Sequence, residues 1–126
     1  MEAKKIIITG AATRIGAAIA KSLANFNIKI LLHYNKSSVE VKKLKICLEE
    51  LGAQVFLIKA DLNKTNETKK IIPYAYKMMK GIDCLINNAS IFENDNIENF
   101  DEKGFDKHLN INLKSPALLS KDFFKY

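Results

Sequence analysis

The sequence predicts an α/β fold in which helices cover both faces of a doubly wound parallel sheet. Short apolar runs alternate with segments of helical periodicity along all 126 residues. The runs are nearly continuous in apolar residues, as strands buried on both faces are. The length suits one domain, and a composition of 48% apolar and 27% charged residues is that of a globular protein. We expect the strand order 3-2-1-4, the first half of a dinucleotide-binding sheet.

Four strands and four helices are predicted in alternation. Within the first helix Ile15, Ile19 and Leu23 recur at the spacing of one helix face. Pro73 predicts a kink in the third helix, and Pro116 predicts a local distortion in the last one. The predicted strands are 5–9, 28–33, 54–60 and 82–87, and the predicted helices are 14–25, 41–51, 66–80 and 101–124.

Composition excludes several classes of function. No apolar run approaches the roughly 18–20 residues of a membrane span, and the N-terminus has no signal-peptide pattern, so we expect a cytoplasmic protein. Cys47 and Cys84 are too few and too far apart for a metal site. The net charge is +6, but the lysines are spread along the chain and Arg14 is the single arginine, which disfavours a nucleic-acid partner.

A glycine motif, Thr9-Gly10-Ala11-Ala12-Thr13-Arg14-Ile15-Gly16, joins the first strand to the first helix. Gly10 allows a sharp turn and Gly16 allows the helix to pack close to the sheet. Backbone N–H groups at the helix start suit a diphosphate. An ordinary strand–helix turn with two glycines is the alternative interpretation.

Donor side chains follow the second strand, where a site for NAD normally carries Asp or Glu. Asn35, Lys36 and Ser37 stand there, and no acid occurs before Glu40. A cation beside hydrogen-bond donors suits a 2′-phosphate, so the sequence favours NADP(H) over NAD(H). A polar cap for the following helix, with Ser37 or Ser38 at the N-cap, is the alternative interpretation and is compatible with the first.

Two further polar segments follow the third and fourth strands. These are Asp61-Leu62 and Asn87-Asn88-Ala89-Ser90. Both fall at the carboxyl ends of predicted parallel strands, the edge at which ligands bind in such sheets. The second segment is also compatible with a plain turn.

Taken together with Asn112, these motifs resemble the short-chain dehydrogenase/reductase family in order and spacing over all 126 residues. Arg14 and the segments 33–37 and 88–92 resemble the pteridine reductases, which use NADPH to reduce ring C=N bonds of pterins. The resemblance implies an oxidoreductase with a small-molecule substrate in a family that forms homo-oligomers. It also implies that residues 1–126 are the N-terminal NADP-binding half of one Rossmann-type domain of roughly 250 residues.

The resemblance implies a role for each matching residue. On the substrate side, Arg14 and Ser90 are expected to touch a pterin and Phe92 to stack on it; a plain loop aromatic is the alternative for Phe92. Asn112 matches the family's active-site Asn, whose main chain holds a water in a proton relay, and a polar residue in a helix interior is its alternative. The cofactor residues are Gly10, Arg14, Ile15 and Gly16 for the diphosphate, Asn35, Lys36 and Ser37 for the 2′-phosphate, Asp61 and Leu62 for the adenine, and Asn88, Ala89 and Ser90 for the ribose and nicotinamide side.

The family's chemistry also needs a Ser and a Tyr-x-x-x-Lys pair, which the resemblance places beyond the fifth strand and beyond this chain. Tyr76 and Lys80 have that spacing, but they fall on an outer helix at the wrong edge of the sheet. We therefore expect no activity from the chain alone. A fragment of a reductase, half of a split reductase and a non-catalytic nucleotide-binding module all stay open.

Overall fold

The computed structural model describes residues 2–126 and contains one parallel sheet of four strands in the order β3-β2-β1-β4. The strands are β1 (Lys4–Ile8), β2 (Ile28–Tyr34), β3 (Gln54–Lys59) and β4 (Cys84–Ile86). Ile8 lies opposite Leu32 on one side and Ile86 on the other, so the carboxyl ends of the strands meet at one edge. The predicted fold class and strand order are confirmed.

The helices are α1 (Arg14–Leu23), α2 (Ser38–Glu50), α3 (Thr65–Thr68), α4 (Ile71–Met79), α5 (Glu102–Leu109) and α6 (Ser115–Phe124). Alternate strand residues point to opposite faces of the sheet and form two cores. Ile8 and Leu32 pack with α1 and α2, whereas Ile7 and Leu31 pack with α4 and α6. No helix within residues 2–126 has the length and hydropathy needed to cross a membrane.

The third predicted helix is two helices rather than one kinked helix. Pro73 lacks the N–H that would bond to the carbonyl of Lys69, so the chain breaks between α3 and α4. The helical pattern restarts when Tyr74 N–H donates to the Lys70 carbonyl at 3.1 Å. The kink predicted at Pro73 is therefore a complete break in the helix, which lies just before this residue.

The distortion predicted near Pro116 is a π-helical turn over Asn110–Lys114, between α5 and α6. Ser115 N–H donates to the carbonyl of Asn110, five residues earlier. Pro116 then lies in the first turn of α6, the part of a helix in which proline is best tolerated. The N-terminus of α5 is capped by Asp101, whose carboxylate accepts the Gly104 N–H at 2.8 Å.

Candidate functional site

A cleft of about 640 Å³ opens at the carboxyl edge of the sheet, between the turns that follow the four strands and the helix α5. Most of the residues chosen from the sequence line it: Gly10, Arg14, Ile15, Asn35, Lys36, Ser37, Asp61, Leu62, Asn88, Ala89 and Ser90. Gly16, Phe92 and Asn112 are not in the lining. The structure adds lining residues that sequence reasoning did not assign: Ala12, Thr13, His33, Tyr34, Ala60, Asn63, Ile91, Glu93, Lys107 and Ile111.

Gly16 shapes the cleft from behind. A Cβ on this residue would lie 2.3 Å from the carbonyl oxygen of Gly10 and 2.7 Å from Nδ2 of Asn88. The absence of a side chain therefore lets α1 approach the ends of β1 and β4. This is the close packing that the sequence predicted for Gly16.

The turn from β1 into α1 is suited to an anion. Gly10 has a φ of +59°, and a Cβ there would meet Cα of Ala89 at 2.8 Å. Thr13 precedes α1 without making a capping hydrogen bond, and the first turn carries no acidic residue. The first-turn N–H groups and the positive end of the helix dipole are thus left for a ligand.

Arg14 adopts a left-handed backbone conformation, with a φ of +52°. This conformation costs a non-glycine residue about 1–2 kcal/mol because Cβ crowds the backbone. Arg14 lines the cleft beside the turn that follows β1. The strain explains why many loops of this kind have glycine at this point.

Thr9 and Asn88 join the ends of β1 and β4. The buried hydroxyl of Thr9 accepts the N–H of Asn88 at 3.0 Å and that of Ala89 at 2.9 Å. The amide of Asn88 donates to the carbonyls of Thr9 and Gly10, both at 3.1 Å. These four bonds fix the turn after β4 relative to the glycine turn.

His33, at the end of β2, belongs to the segment 33–37, and the sequence assigns it no role of its own. Its ring is buried, with Nδ1 accepting the Gly10 N–H at 3.0 Å and Nε2 donating to the Ala60 carbonyl at 2.9 Å. These partners assign the neutral tautomer that carries its proton on Nε2. Burial lowers the pKa of His33 below 6.5, and the bond to Ala60 opposes that shift. The signal in the sequence that could have identified His33 is a histidine that directly follows apolar strand residues.

The segment after Ser90 is extended and bonded to the helices beside it. Asn112 accepts the Ile91 N–H at 2.8 Å through Oδ1 and donates to the Ile91 carbonyl at 2.9 Å. His108 Nε2 accepts the Glu93 N–H at 3.0 Å. Alternation along the segment places Ile91 and Glu93 in the cleft lining and leaves Phe92 85% exposed outside it. Stacking of Phe92 on a substrate stays a prediction.

The turn after β3 is held from two sides. Glu67 accepts the Asp61 N–H at 2.6 Å, and this bond is the largest cause that lowers the pKa of Glu67. Ser115 donates its buried hydroxyl to the Leu62 carbonyl at 2.6 Å, with Thr68 Oγ1 at 3.2 Å from the same hydroxyl. The start of α6 is therefore connected to the predicted adenine side of the cleft.

The charges in the lining are three cations and two carboxylates. Arg14 and Lys36 lie on the turns after β1 and β2, and Asp61 follows β3. Lys107 forms an ion pair with Glu93 at 2.5 Å and is the main cause that lowers the pKa of Glu93. Since Glu93 is matched by Lys107, Arg14 and Lys36 are the cations best placed for a ligand's phosphates.

Tyr76 and Lys80 lie away from this cleft. The Tyr76 ring packs on Tyr126 with centroids 4.6 Å apart. The carbonyl of Lys80 accepts a hydrogen bond from Lys5 Nζ, at the edge where the strands begin. The pair is thus at the opposite edge of the sheet, as the sequence predicted.

The chain matches the family model described as short chain dehydrogenase over residues 4–126. It is 25% identical over 126 residues to a short-chain dehydrogenase/reductase of Pestalotiopsis microspora, covering 100% of this chain and 48% of that protein. The chain thus spans about half the length of the curated relatives it matches.

Solved structures with the same fold include proteins bound to either dinucleotide. A short chain dehydrogenase from Burkholderia cenocepacia J2315 in complex with NADP superposes with a TM-score of 0.94 at 27% identity, over 99% of this chain and 51% of that one. The NADH-dependent reductase A1-R′ complexed with NAD superposes with a TM-score of 0.89 at 30% identity, over 98% and 52%. From the family match over nearly its whole length, the chain belongs to the short chain dehydrogenase family.

Proposed function

We propose that this chain binds NADP(H) in the cleft and is the cofactor-binding half of an NADP(H)-dependent reductase. The proposal rests on the residues that follow β2. Asn35, Lys36 and Ser37 line the cleft there, and none of them carries a carboxylate. A cation with neighbouring donors stabilises a 2′-phosphate, whereas an acid there would repel it. The similar structure bound to NADP supports this choice, and the one bound to NAD shows that the fold itself does not decide it.

Replacement of Lys36 by alanine is expected to weaken NADP⁺ binding about tenfold or more and to leave NAD⁺ binding unchanged, because a charge-assisted contact to the 2′-phosphate contributes about 1.5–3 kcal/mol. Isothermal titration calorimetry with both dinucleotides measures the two affinities. Lys42→Ala is the matched control, since it removes the same charge from an exposed position on α2. Equal affinity of the unchanged chain for NADP⁺ and NAD⁺ would refute the cofactor proposal.

The substrate proposed is a pterin, as in the pteridine reductases. Arg14 and Ser90 support it, since both line the cleft on the turns that follow β1 and β4. A guanidinium and a hydroxyl are suited to the polar edge of a flat heterocycle. Phe92 would have to turn from its exposed position to stack on that ring.

The isolated chain is proposed to bind cofactor without turnover. The cleft lining of this chain contains Tyr34 but no Tyr-x-x-x-Lys pair, and a tyrosine needs a nearby cation to donate a proton at neutral pH. Absorbance at 340 nm, followed with NADPH and a pterin or carbonyl substrate, should match a buffer blank. Oxidation of NADPH above the blank that disappears in Arg14→Gly would show that the chain completes the reaction by itself.

A further inference from the structure

His33 connects three of the four turns that form the cleft. Its ring is 2% exposed and spans the distance from Gly10, in the turn after β1, to Ala60, in the turn after β3. Its own carbonyl accepts the Ala11 N–H at 2.9 Å, and the next residue, Tyr34, accepts the Ala60 N–H at 3.0 Å. The ring is thus a side-chain bridge between the turn proposed for the diphosphate and the turn proposed for the adenine.

We propose that the neutral imidazole of His33 is a positioning residue for the dinucleotide, which holds these two turns at the separation the cofactor needs and releases the glycine turn when the ring is protonated. This inference rests on the proposed function, because it concerns the affinity for NADP(H). His33 acts through Gly10 and Ala60 and needs no contact with the cofactor. The bridge uses one acceptor and one donor, a combination that only a neutral ring offers.

Protonation removes one end of the bridge. A proton on Nδ1 would face the N–H of Gly10, donor against donor, while the bond from Nε2 to Ala60 would persist. The charged groups on the surrounding elements are Arg14 after β1, Lys36 after β2 and Asp61 after β3. None of them contributes to the pKa shift of His33, which burial causes.

The sign of the pH effect follows from the lowered pKa. The folded chain resists protonation of His33, whereas the unfolded chain takes the proton near pH 6.5. The contribution of the neutral His33 ring to the free energy of unfolding is complete above pH 6.5. It is lost as the pH falls from 6.5 through the lowered pKa of the folded state. Cofactor affinity depends on the folded chain alone, so it is expected to fall only as the pH passes through the lowered pKa of His33.

Two substitutions separate the two ends of the bridge. In His33→Asn the side-chain oxygen replaces Nδ1 and keeps the bond from Gly10, whereas in His33→Gln the amide nitrogen replaces Nε2 and keeps the bond to Ala60. At pH 7.5, we expect His33→Gln to weaken NADP⁺ binding about tenfold and His33→Asn no more than about threefold, since only His33→Gln leaves the Gly10 N–H, in the turn proposed for the diphosphate, without its acceptor. As the pH falls from 7.5 through the pKa of His33 in the folded chain, which nuclear magnetic resonance locates, the unchanged chain should lose affinity relative to His33→Asn, which has no titrating ring. The 2′-phosphate itself titrates near pH 6, but its effect is common to all variants. It therefore cancels in the ratio of the affinity of the unchanged chain to that of His33→Asn.

A measurement on the unchanged chain keeps the proposal testable if a variant fails to fold. Nuclear magnetic resonance follows the ring of His33 separately from that of His108, the other histidine of the chain. If protonation weakens cofactor binding, saturation with NADP⁺ must lower the pKa of His33 further by linkage. A simple attraction between the phosphates and an imidazolium would raise it instead.

The outcomes separate the two proposals. Equal weakening by His33→Asn and His33→Gln, the same pH dependence with and without the ring, or a His33 pKa that NADP⁺ leaves unchanged or raises would each overturn the positioning role. If the unchanged chain binds no NADP⁺ at pH 7.5, the proposed function fails and the positioning role fails with it. Tenfold against threefold weakening, together with the lowered pKa, supports both.

Discussion

Replacement of Gly16 by alanine is expected to lower the free energy of unfolding by about 3 kcal/mol, at the upper end for overpacking of a rigid site. The added methyl would lie 2.3 Å from the Gly10 carbonyl oxygen and 2.9 Å from Cα of Ala11, and both are backbone atoms that cannot turn away. Relief requires α1 to move outward from the ends of β1 and β4. The methyl would also lie 2.7 Å from Nδ2 of Asn88 and displace this amide from the carbonyls of Thr9 and Gly10, so cofactor affinity should fall with stability.

Urea unfolding followed by circular dichroism measures this loss. Gly104→Ala is the matched control because it adds the same methyl group to an exposed helix. Its nearest neighbour is the carboxylate end of Asp101, at 2.8 Å, which can turn aside. We expect the control to change stability by about 1 kcal/mol or less. A Gly16→Ala chain as stable as this control would show that α1 does not pack as closely as described.

Replacement of Arg14 by glycine is expected to weaken NADP⁺ binding about tenfold or more, because it removes a charge-assisted contact to the diphosphate. Stability should stay within about 1 kcal/mol, since glycine adopts a φ of +52° without strain while it increases the entropy of the unfolded chain. Calorimetry and thermal unfolding on the same preparations separate the two effects.

Two further variants distinguish charge from backbone conformation at this position. Arg14→Asn tolerates the left-handed conformation without a charge, and should bind as weakly as Arg14→Gly. Arg14→Lys keeps a charge but loses the planar, bidentate geometry. Its affinity for NADP⁺ should therefore lie between that of the unchanged chain and that of Arg14→Gly. If all four chains bind NADP⁺ equally well, Arg14 makes no contact with the diphosphate.

The sequence predicted what depends on local pattern. The apolar runs around Ile7, Leu31 and Val55 determine the sheet, and the polar residues after each run identify the edge where the cleft lies. Helical periodicity alone suggests that glycine at position 14 would weaken the first turn of α1 by about 1 kcal/mol or less. The left-handed φ of Arg14 removes that penalty, and a backbone angle cannot be read from residue spacing.

Contacts between distant segments were the part that sequence reasoning missed. His33 bonds across 23 and 27 residues to Gly10 and Ala60, and nothing in its neighbours along the chain indicates those partners. The same holds for Ser115, which reaches Leu62 across 53 residues. A motif match likewise does not give the direction of a side chain: Phe92 is exposed outside the cleft, and its stacking on a substrate stays a prediction.

The extended segment after Ser90 also affects the local stability of one wall of the cleft. The amide hydrogens of Ile91 and Glu93 belong to no strand, yet Asn112 and His108 accept them. None of the side chains in α5 is buried, so this helix has little core of its own to keep it folded. Amide hydrogens bonded in this way exchange with solvent only when the accepting side chains withdraw. Segment and helix should therefore exchange as one cooperative unit, less stable than the sheet beneath it.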